Sequence, residues 1–349
     1  MVVEKTQEQQ AVSTDSKTAL VTTAVGSYAR PDYLTKARAQ FAKDEIDRAE
    51  LDRLEKQATE YWIRAQEKIG LDVLVHGEME RGDMVAYFSG EKGGTPIKGM
   101  NLGGLVRSYG NRYYHKPIIH DRLEWPGPMT VDMWKYAQSL TDRPVKGMLT
   151  GAYTMVEWSF DEHYPTRRDA VLDMAKVIRR EVEALAAAGA KYIQIDEPAI
   201  HTRPEADFEA AVEAMHVTVD GIDAEFHTHI CYGEVEKIWQ PMMKLPVKQI
   251  HLAFKNTDFA YLDLVRQYGY DETKDVGVGV TDVHTRFIET VDEVKDGLRR
   301  VLELFPPERV WVLPDCGLKT RTVEESEAKL QVMVDAVREI REEQGARSQ

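Results

Sequence analysis

The sequence predicts a (β/α)8 barrel, and three observations carry that expectation. Aliphatic and β-branched runs alternate with amphipathic helical stretches, each run ends in polar or glycine residues, and eight such runs occur. Eight strand–helix units in one chain are what a TIM barrel requires, whereas a doubly wound sheet rarely needs so many in one domain. A chain of 349 residues with 43% hydrophobic content is long enough and apolar enough for such a domain.

Residues 1–18 are polar and aperiodic and are expected to form a mobile tail, which leaves residues 19–349 as a single barrel domain. The first strand is expected in LVTTAVGSY (20–28) and the second in LDVLVHGE (71–78), each an aliphatic run that reaches a glycine. Residues 88–143, rich in Gly, Tyr, Trp and Pro, break the repeat and are expected as a long insertion after the second strand. At the catalytic end of a barrel such a segment is about as often a substrate-binding loop as a surface elaboration. VKGMLTGAY (145–153) and KYIQIDEP (191–198) supply the third and fourth strands, and the periodicity of RRDAVLDMAKVIRREVEALAAAG (167–189) predicts the helix between them. AEFHTHICYG (224–233), VKQIHLAFK (247–255), DVGVGVTDVH (275–284) and RVWVLPDCG (309–317) complete the eight, with TVDEVKDGLRRVLELF (290–305) helical before the last.

Fifty-nine acidic against forty-five basic residues give a net charge of -14, and no Lys/Arg-rich stripe appears, which argues against nucleic acid as a partner. No apolar run approaches the roughly 20 residues that span a bilayer, and the N-terminus lacks the apolar core of a signal peptide. A cytoplasmic protein with no membrane partner is expected. Two cysteines, Cys231 and Cys316, are too few for a disulfide framework; in a reducing compartment such a pair is metal-binding or simply buried.

In a barrel of this kind the active-site residues come from the C-terminal ends of the strands. Those ends carry Ser27, His76, Glu78, Asp196, Glu197, His227, His229, Cys231, His251, Asp282, His284, Asp315 and Cys316. In HTHICYGE (227–234), His227, His229 and Cys231 alternate and so face one side if the strand runs that far. Imidazole and thiolate suit zinc, for which three protein ligands and one open position form the catalytic arrangement. Cys316, ending the eighth strand, supplies a second sulfur. The bland alternative is a buried cysteine beside a hydrogen-bonded core histidine. Glu78, Asp196 and Glu197 suit an ammonium group, but equally read as helix caps or ion-pair partners. His284 fits a proton donor or acceptor at neutral pH or a helix cap, and Trp158 fits a stacking platform or core packing. LGGLVRSYG lacks the spacing and context of a phosphate loop.

These strand ends resemble the catalytic domain of the cobalamin-independent methionine synthases. The likeness runs through VGSY, VHGEMERGDMVAYF, VRSYGNRYYHKP, MLTGAYTMVEWSF, IQIDEPA, HTHICYGE, DVH and LPDCGLKTR, nearly the whole chain after the tail. It implies that His229, Cys231 and Cys316 hold zinc, and that the backbone of Val25, Gly26 and Ser27, with Glu78 and Asp196, holds homocysteine. It implies too that His284 is the proton donor and that Arg112 and Trp158 contact the pterin of the methyl donor.

Three departures shape the expectation. The family's further zinc ligand, a glutamate on the sixth strand, aligns with Ala253, and His251, two residues earlier on the same face, is the candidate replacement. An acid that helps bind the pterin is replaced by Thr202. The additional barrel of the full-length enzymes has no counterpart, so the chain resembles the short core methionine synthases, and methylcobalamin or a methylated corrinoid protein is the expected donor. The expected activity is zinc-dependent methyl transfer to homocysteine. Competing readings are an alkyltransferase to another thiol, like the epoxyalkane:coenzyme M transferases, and a non-enzymatic zinc- or thiol-binding barrel.

Overall fold

The computed structural model describes residues 19–107, 113–203 and 208–347, so the expected tail over residues 1–18 lies outside the described residues. In chain order the strands are β1 (Val21–Thr22), β2 (Leu74–Val75), β3 (Lys98–Arg107), β4 (Tyr113–Glu124), β5 (Val145–Thr150), β6 (Phe160–Asp161), β7 (Tyr192–Asp196), β8 (Glu225–His229), β9 (Gln249–Leu252), β10 (Asp275–Gly279) and β11 (Val310–Leu313). The helices are α1 (Asp32–Ala42), α2 (Arg48–Ile69), α3 (Val131–Ser139), α4 (Ala152–Glu157), α5 (Arg167–Ala187), α6 (Phe208–Val219), α7 (Val235–Met242), α8 (Tyr261–Tyr268), α9 (Val291–Leu302) and α10 (Val323–Arg347).

Eight strands form one parallel sheet in the order β1-β11-β10-β9-β8-β7-β5-β2. Its two ends meet: the Thr22 carbonyl accepts from the Asp72 and Val73 amides at 3.0 and 3.1 Å, and the Thr22 hydroxyl donates to Asp72 Oδ2 at 2.8 Å. The expected (β/α)8 barrel is therefore the fold. The strands are shorter than the runs that announce them, because each run's C-terminal part leaves the ladder to build the rim. Cys231, for example, lies two residues past the end of β8.

Helix boundaries follow local chemistry. Asp47 caps α2 by accepting from the Glu50 amide at 2.9 Å, Gly70 ends it at φ 104°, and Leu51, Ala58, Trp62, Ile63 and Ile69 give it a buried stripe. Thr290 and Glu293 close a reciprocal capping box on α9. The expected insertion holds the antiparallel pair β3–β4 and then α3, and β6, which comes later in the chain after α4, joins β4 to make a second, three-stranded sheet. Glu181 of α5 anchors it: this buried carboxylate accepts from Trp125 Nε1, the Met129 and Thr130 amides and the Thr130 hydroxyl at 2.7–3.0 Å. Ile97, Met100, Ile119 and Leu123 of the insertion share one apolar core with the barrel strands and their helices. Among the described residues no helix is long and apolar enough to cross a membrane.

The barrel interior is layered. Val25, Val73, Trp311 and Leu313 form a small apolar cluster, and a polar layer of Lys146, Gln194, His227 and Gln249 follows, all fully buried. Adjacent strands place Gln194 beside His227 and His227 beside Gln249, and one step along β8 and β9 pairs His229 with His251. Within this layer Lys146 bonds Gln194 and His227 Nε2 pairs with Glu225, while the Gln249 amide is buried with no hydrogen-bond partner among the described residues.

Candidate active site

At the C-terminal rim the structure brings together the three expected soft ligands. Ligand atoms of His229, Cys231 and Cys316 lie within 4.8 Å of one another, and the two sulfurs are 3.5 Å apart. That spacing far exceeds a disulfide bond of about 2.05 Å. It is close to the roughly 3.8 Å expected between two sulfurs each about 2.3 Å from a tetrahedral zinc ion. His229 Nδ1 sits 2.7 Å from His251 Nδ1, and His229 Nε2 is buried with no hydrogen-bond partner. A histidine held through one ring nitrogen with the other left bare is the usual posture of a metal ligand, so the donor set fits zinc. The thiols share a hydrogen bond that holds Cys231 well below the usual thiol range and pushes Cys316 up.

His251 does not join that group. It stacks against His229, with ring centroids 4.8 Å apart, and holds that ring from behind. Ala253 is buried and offers no ligand atom. His227 points into the polar layer, with Glu225 Oε1 3.0 Å from its Nε2 and its ring edge-on to Trp311.

A cavity of about 210 Å³ adjoins the cluster, and its wall includes Val25, Gly26, Ser27, Glu78, Asp196 and Trp158 as well as His229, Cys231 and Cys316. Every residue expected to hold the acceptor is thus in one chamber with the three candidate metal ligands. Glu78 adopts φ 58° directly after Gly77 at φ 91°, a left-handed pair that turns its carboxylate inward. Arg81 fixes it: Nη1 donates to Glu78 Oε1 at 3.0 Å, Nε to Glu80 Oε1 at 3.1 Å and Nη2 to the Met148 carbonyl at 2.9 Å. Burial pushes the Asp196 carboxyl up to about 6, with His229 opposing. Its neighbour Glu197 faces away and caps α4, accepting from the Tyr153 and Thr154 amides at 3.1 and 2.8 Å, which realises the structural reading of that acid.

Two residues that the sequence did not single out organise this wall. The buried Lys146 Nζ donates to Gln194 Oε1 at 2.5 Å. The Gln194 amide must then point its Nε2 at Asp196 Oδ1, 2.7 Å away, and at the Val25 carbonyl, 2.8 Å away. One amide thereby ties together β7 and the loop after β1. The signal existed in the alternation of IQID, which puts Gln194 and Asp196 on one face, but nothing local marked Lys146 as its partner.

His284 stands at the rim outside this cavity wall, exposed, with its ring edge-on to Tyr232 at 4.3 Å. Its amide donates to Asp282 Oδ1 at 2.8 Å. His76 and Asp315 serve the frame: His76 pairs with Glu80 at 3.1 Å, and Asp315 accepts from the Lys255 and Asn256 amides at 3.0 and 2.6 Å. The Thr202 hydroxyl donates to the Ala199 carbonyl at 2.8 Å. Arg112 lies outside the described residues.

The fold and its rim cluster define a barrel enzyme with its site at the C-terminal ends of the strands. The chain belongs to the cobalamin-independent synthase catalytic-domain family, whose model matches residues 20–339, and it is a methyltransferase. It is 40% identical over 326 residues to a methionine synthase of Saccharolobus solfataricus, covering 93% of this chain and 96% of that one. A methionine synthase of Sulfolobus acidocaldarius is 38% identical over 330 residues, 94% of each chain. Among solved structures, a B12-independent methionine synthase from Shewanella in complex with selenomethionine superposes with a TM-score of 0.80 at 22% identity, over 94% of this chain and 100% of that one. The family description corrects one expectation. Methylcobalamin and a corrinoid protein partner find no support, since the family is described as cobalamin-independent, and the extent of the chain does not identify the leaving group.

Proposed function

We propose that this chain methylates the thiol of homocysteine to give methionine, at a zinc site made by His229, Cys231 and Cys316. The observation that carries the reading is the single cavity whose wall combines two thiols and an imidazole with two carboxylates. Glu78 and Asp196 suit the ammonium of an amino acid and would repel a sulfonate such as coenzyme M. The backbone of Val25, Gly26 and Ser27 holds the rest of the acceptor, and Trp158 offers a flat face to the donor. When bound, zinc supplies the Lewis acidity that lowers the pKa of a thiol brought to its open position.

In the transfer, the acceptor thiol gives its proton to solvent, a sulfur–methyl bond forms, and the donor's nitrogen–methyl bond breaks with its electron pair left on nitrogen. The donor taken here is an N-methyl amine of the methyltetrahydrofolate type, in keeping with the family description. Its amine leaves only when protonated, and His284 at the rim is the acid assigned to that step. The test is zinc-loaded protein with homocysteine and either methyltetrahydrofolate or methylcobalamin, scored for methionine. Failure with both donors overturns the reading, and turnover with methylcobalamin alone overturns its donor half.

A further inference from the structure

His284, the acid assigned to the leaving amine, sits on a rim segment without regular secondary structure. Residues 281–289 join β10 to α9, and of these only Thr281, Val283 and Glu289 are buried. Backbone outside a ladder must find its hydrogen bonds elsewhere, and this segment finds several on side chains. At its tip, Asp282 Oδ1 accepts from the His284 amide at 2.8 Å and Thr285 Oγ1 from the Phe287 amide at 3.2 Å. These local bonds shape the turn without fixing it to the barrel.

Two residues outside the cavity wall fix its ends. Lys329 of α10 and Glu289 form an ion pair, Nζ to Oε2 at 3.0 Å, with side chains 0% and 1% exposed. Glu289 Oε1 accepts from the Asp282 amide at 2.7 Å, at one end of the turn. Lys329 Nζ also donates to the Phe287 carbonyl, at the other end. One buried pair thus grips the chain on both sides of His284. The Thr281 carbonyl accepts from the Asp315 amide at 3.0 Å, which ties the same base to the residue before Cys316. The His284 ring, edge-on to Tyr232, rests against the residue after Cys231. The segment is therefore located against both thiols of the rim.

A buried ion pair is a poor device for stability, because desolvating two charges offsets most of their attraction and a matched apolar pair serves as well. Its advantage is direction: an ammonium and a carboxylate hold the backbone groups they bond at set distances and angles, which apolar contacts do not. We propose that Lys329 and Glu289 are positioning residues for the methyl transfer, holding the 282–287 turn so that His284 meets the leaving amine. An acid of this kind contributes about 100- to 10,000-fold, and a misplacement of about 1 Å forfeits about 100-fold. That His284 gives the proton rests on the methyl-transfer reading; the anchoring of the turn does not.

The test replaces both charges at once, Lys329→Met together with Glu289→Met, so that no charge is stranded and the fold is kept, as thermal unfolding checks. Trypsin cutting after the exposed Arg286, read by mass spectrometry on the zinc-loaded chain, reports the anchoring. It should quicken about tenfold in the double variant. With methyltetrahydrofolate, kcat should fall about 10- to 100-fold while bound zinc and the homocysteine KM are kept. In a His284→Ala background the same replacement should change kcat by less than about twofold, since no acid is left to misplace. Unchanged cutting overturns the anchoring, and an equal kcat loss with and without His284 overturns the positioning. If the wild type turns over no N-methyl donor, the methyl-transfer reading fails and the catalytic role of the pair fails with it, while the proteolysis still decides the anchoring. Glu289→Gln, which keeps the shape and removes the charge, carries the same readouts if the double variant does not fold.

Discussion

Replacing Lys146 with methionine should stabilise the fold at neutral pH while damaging the site. Lys146 is wholly buried, and burial pushes its pKa from 10.5 down to about 7, with the Asp196 carboxylate opposing. Between those two values the unfolded chain holds the proton and the native chain releases it. The unfolded state then binds more protons, and stability rises with pH through that window. Burying Lys146 with this shift costs about 4 kcal/mol at pH 7 and about 1 kcal/mol at pH 10. Met fills a similar volume without charge, so the gain of Lys146→Met over wild type should be larger at pH 7 than at pH 10 by about 3 kcal/mol. Reversible urea unfolding of both proteins at the two pH values measures it. A gain that is the same at both, within about 1 kcal/mol, refutes the reasoning, because the charge would then not be what the substitution removes. The site should suffer: without the Lys146 donor on its oxygen, Gln194 is free to turn, and the homocysteine KM should rise.

Glu181→Ala should cost about 3–5 kcal/mol by stranding the Trp125, Met129 and Thr130 donors, and limited proteolysis should then cut in the insertion before the barrel. Arg81→Met, which leaves the buried Glu80 with His76 alone, should lower stability by a similar 3–5 kcal/mol in urea unfolding. Arg81→Lys restores the charge but not the fork and should recover only part of the loss. Cys316→Ala should lower bound zinc well below one equivalent by atomic absorption, while His251→Ala, which removes only the support behind His229, should weaken zinc about 10- to 100-fold without abolishing it.

The limits of sequence reading show at particular residues. His229 and Cys231 were legible because alternation on a strand fixes a shared face, and Cys316 because it ends another strand at the same rim. Glu197 and Asp196, adjacent in sequence, looked alike; only the packing of α4 against the fourth barrel strand sends one to a helix cap and the other to the pocket. The helices α1 and α2 and the β3–β4 hairpin were not singled out as elements, although α2 carries a legible local signal in its Asp47 cap, its Gly70 stop and its apolar stripe; the hairpin's pairing, by contrast, depends on packing onto the barrel.

By itself the sequence determined the eight-strand repeat, the rim on which the polar side chains collect and the placing of His229, Cys231 and Cys316 at that rim, because periodicity and strand-end position are properties of the chain alone. The tertiary structure decided what lies behind and beside them: Lys146 orienting Gln194, Arg81 orienting Glu78, His251 backing His229, and Lys329 pairing with Glu289. These contacts join residues far apart in the chain, and no local pattern encodes which distant side chain will supply a buried polar group with its missing partner.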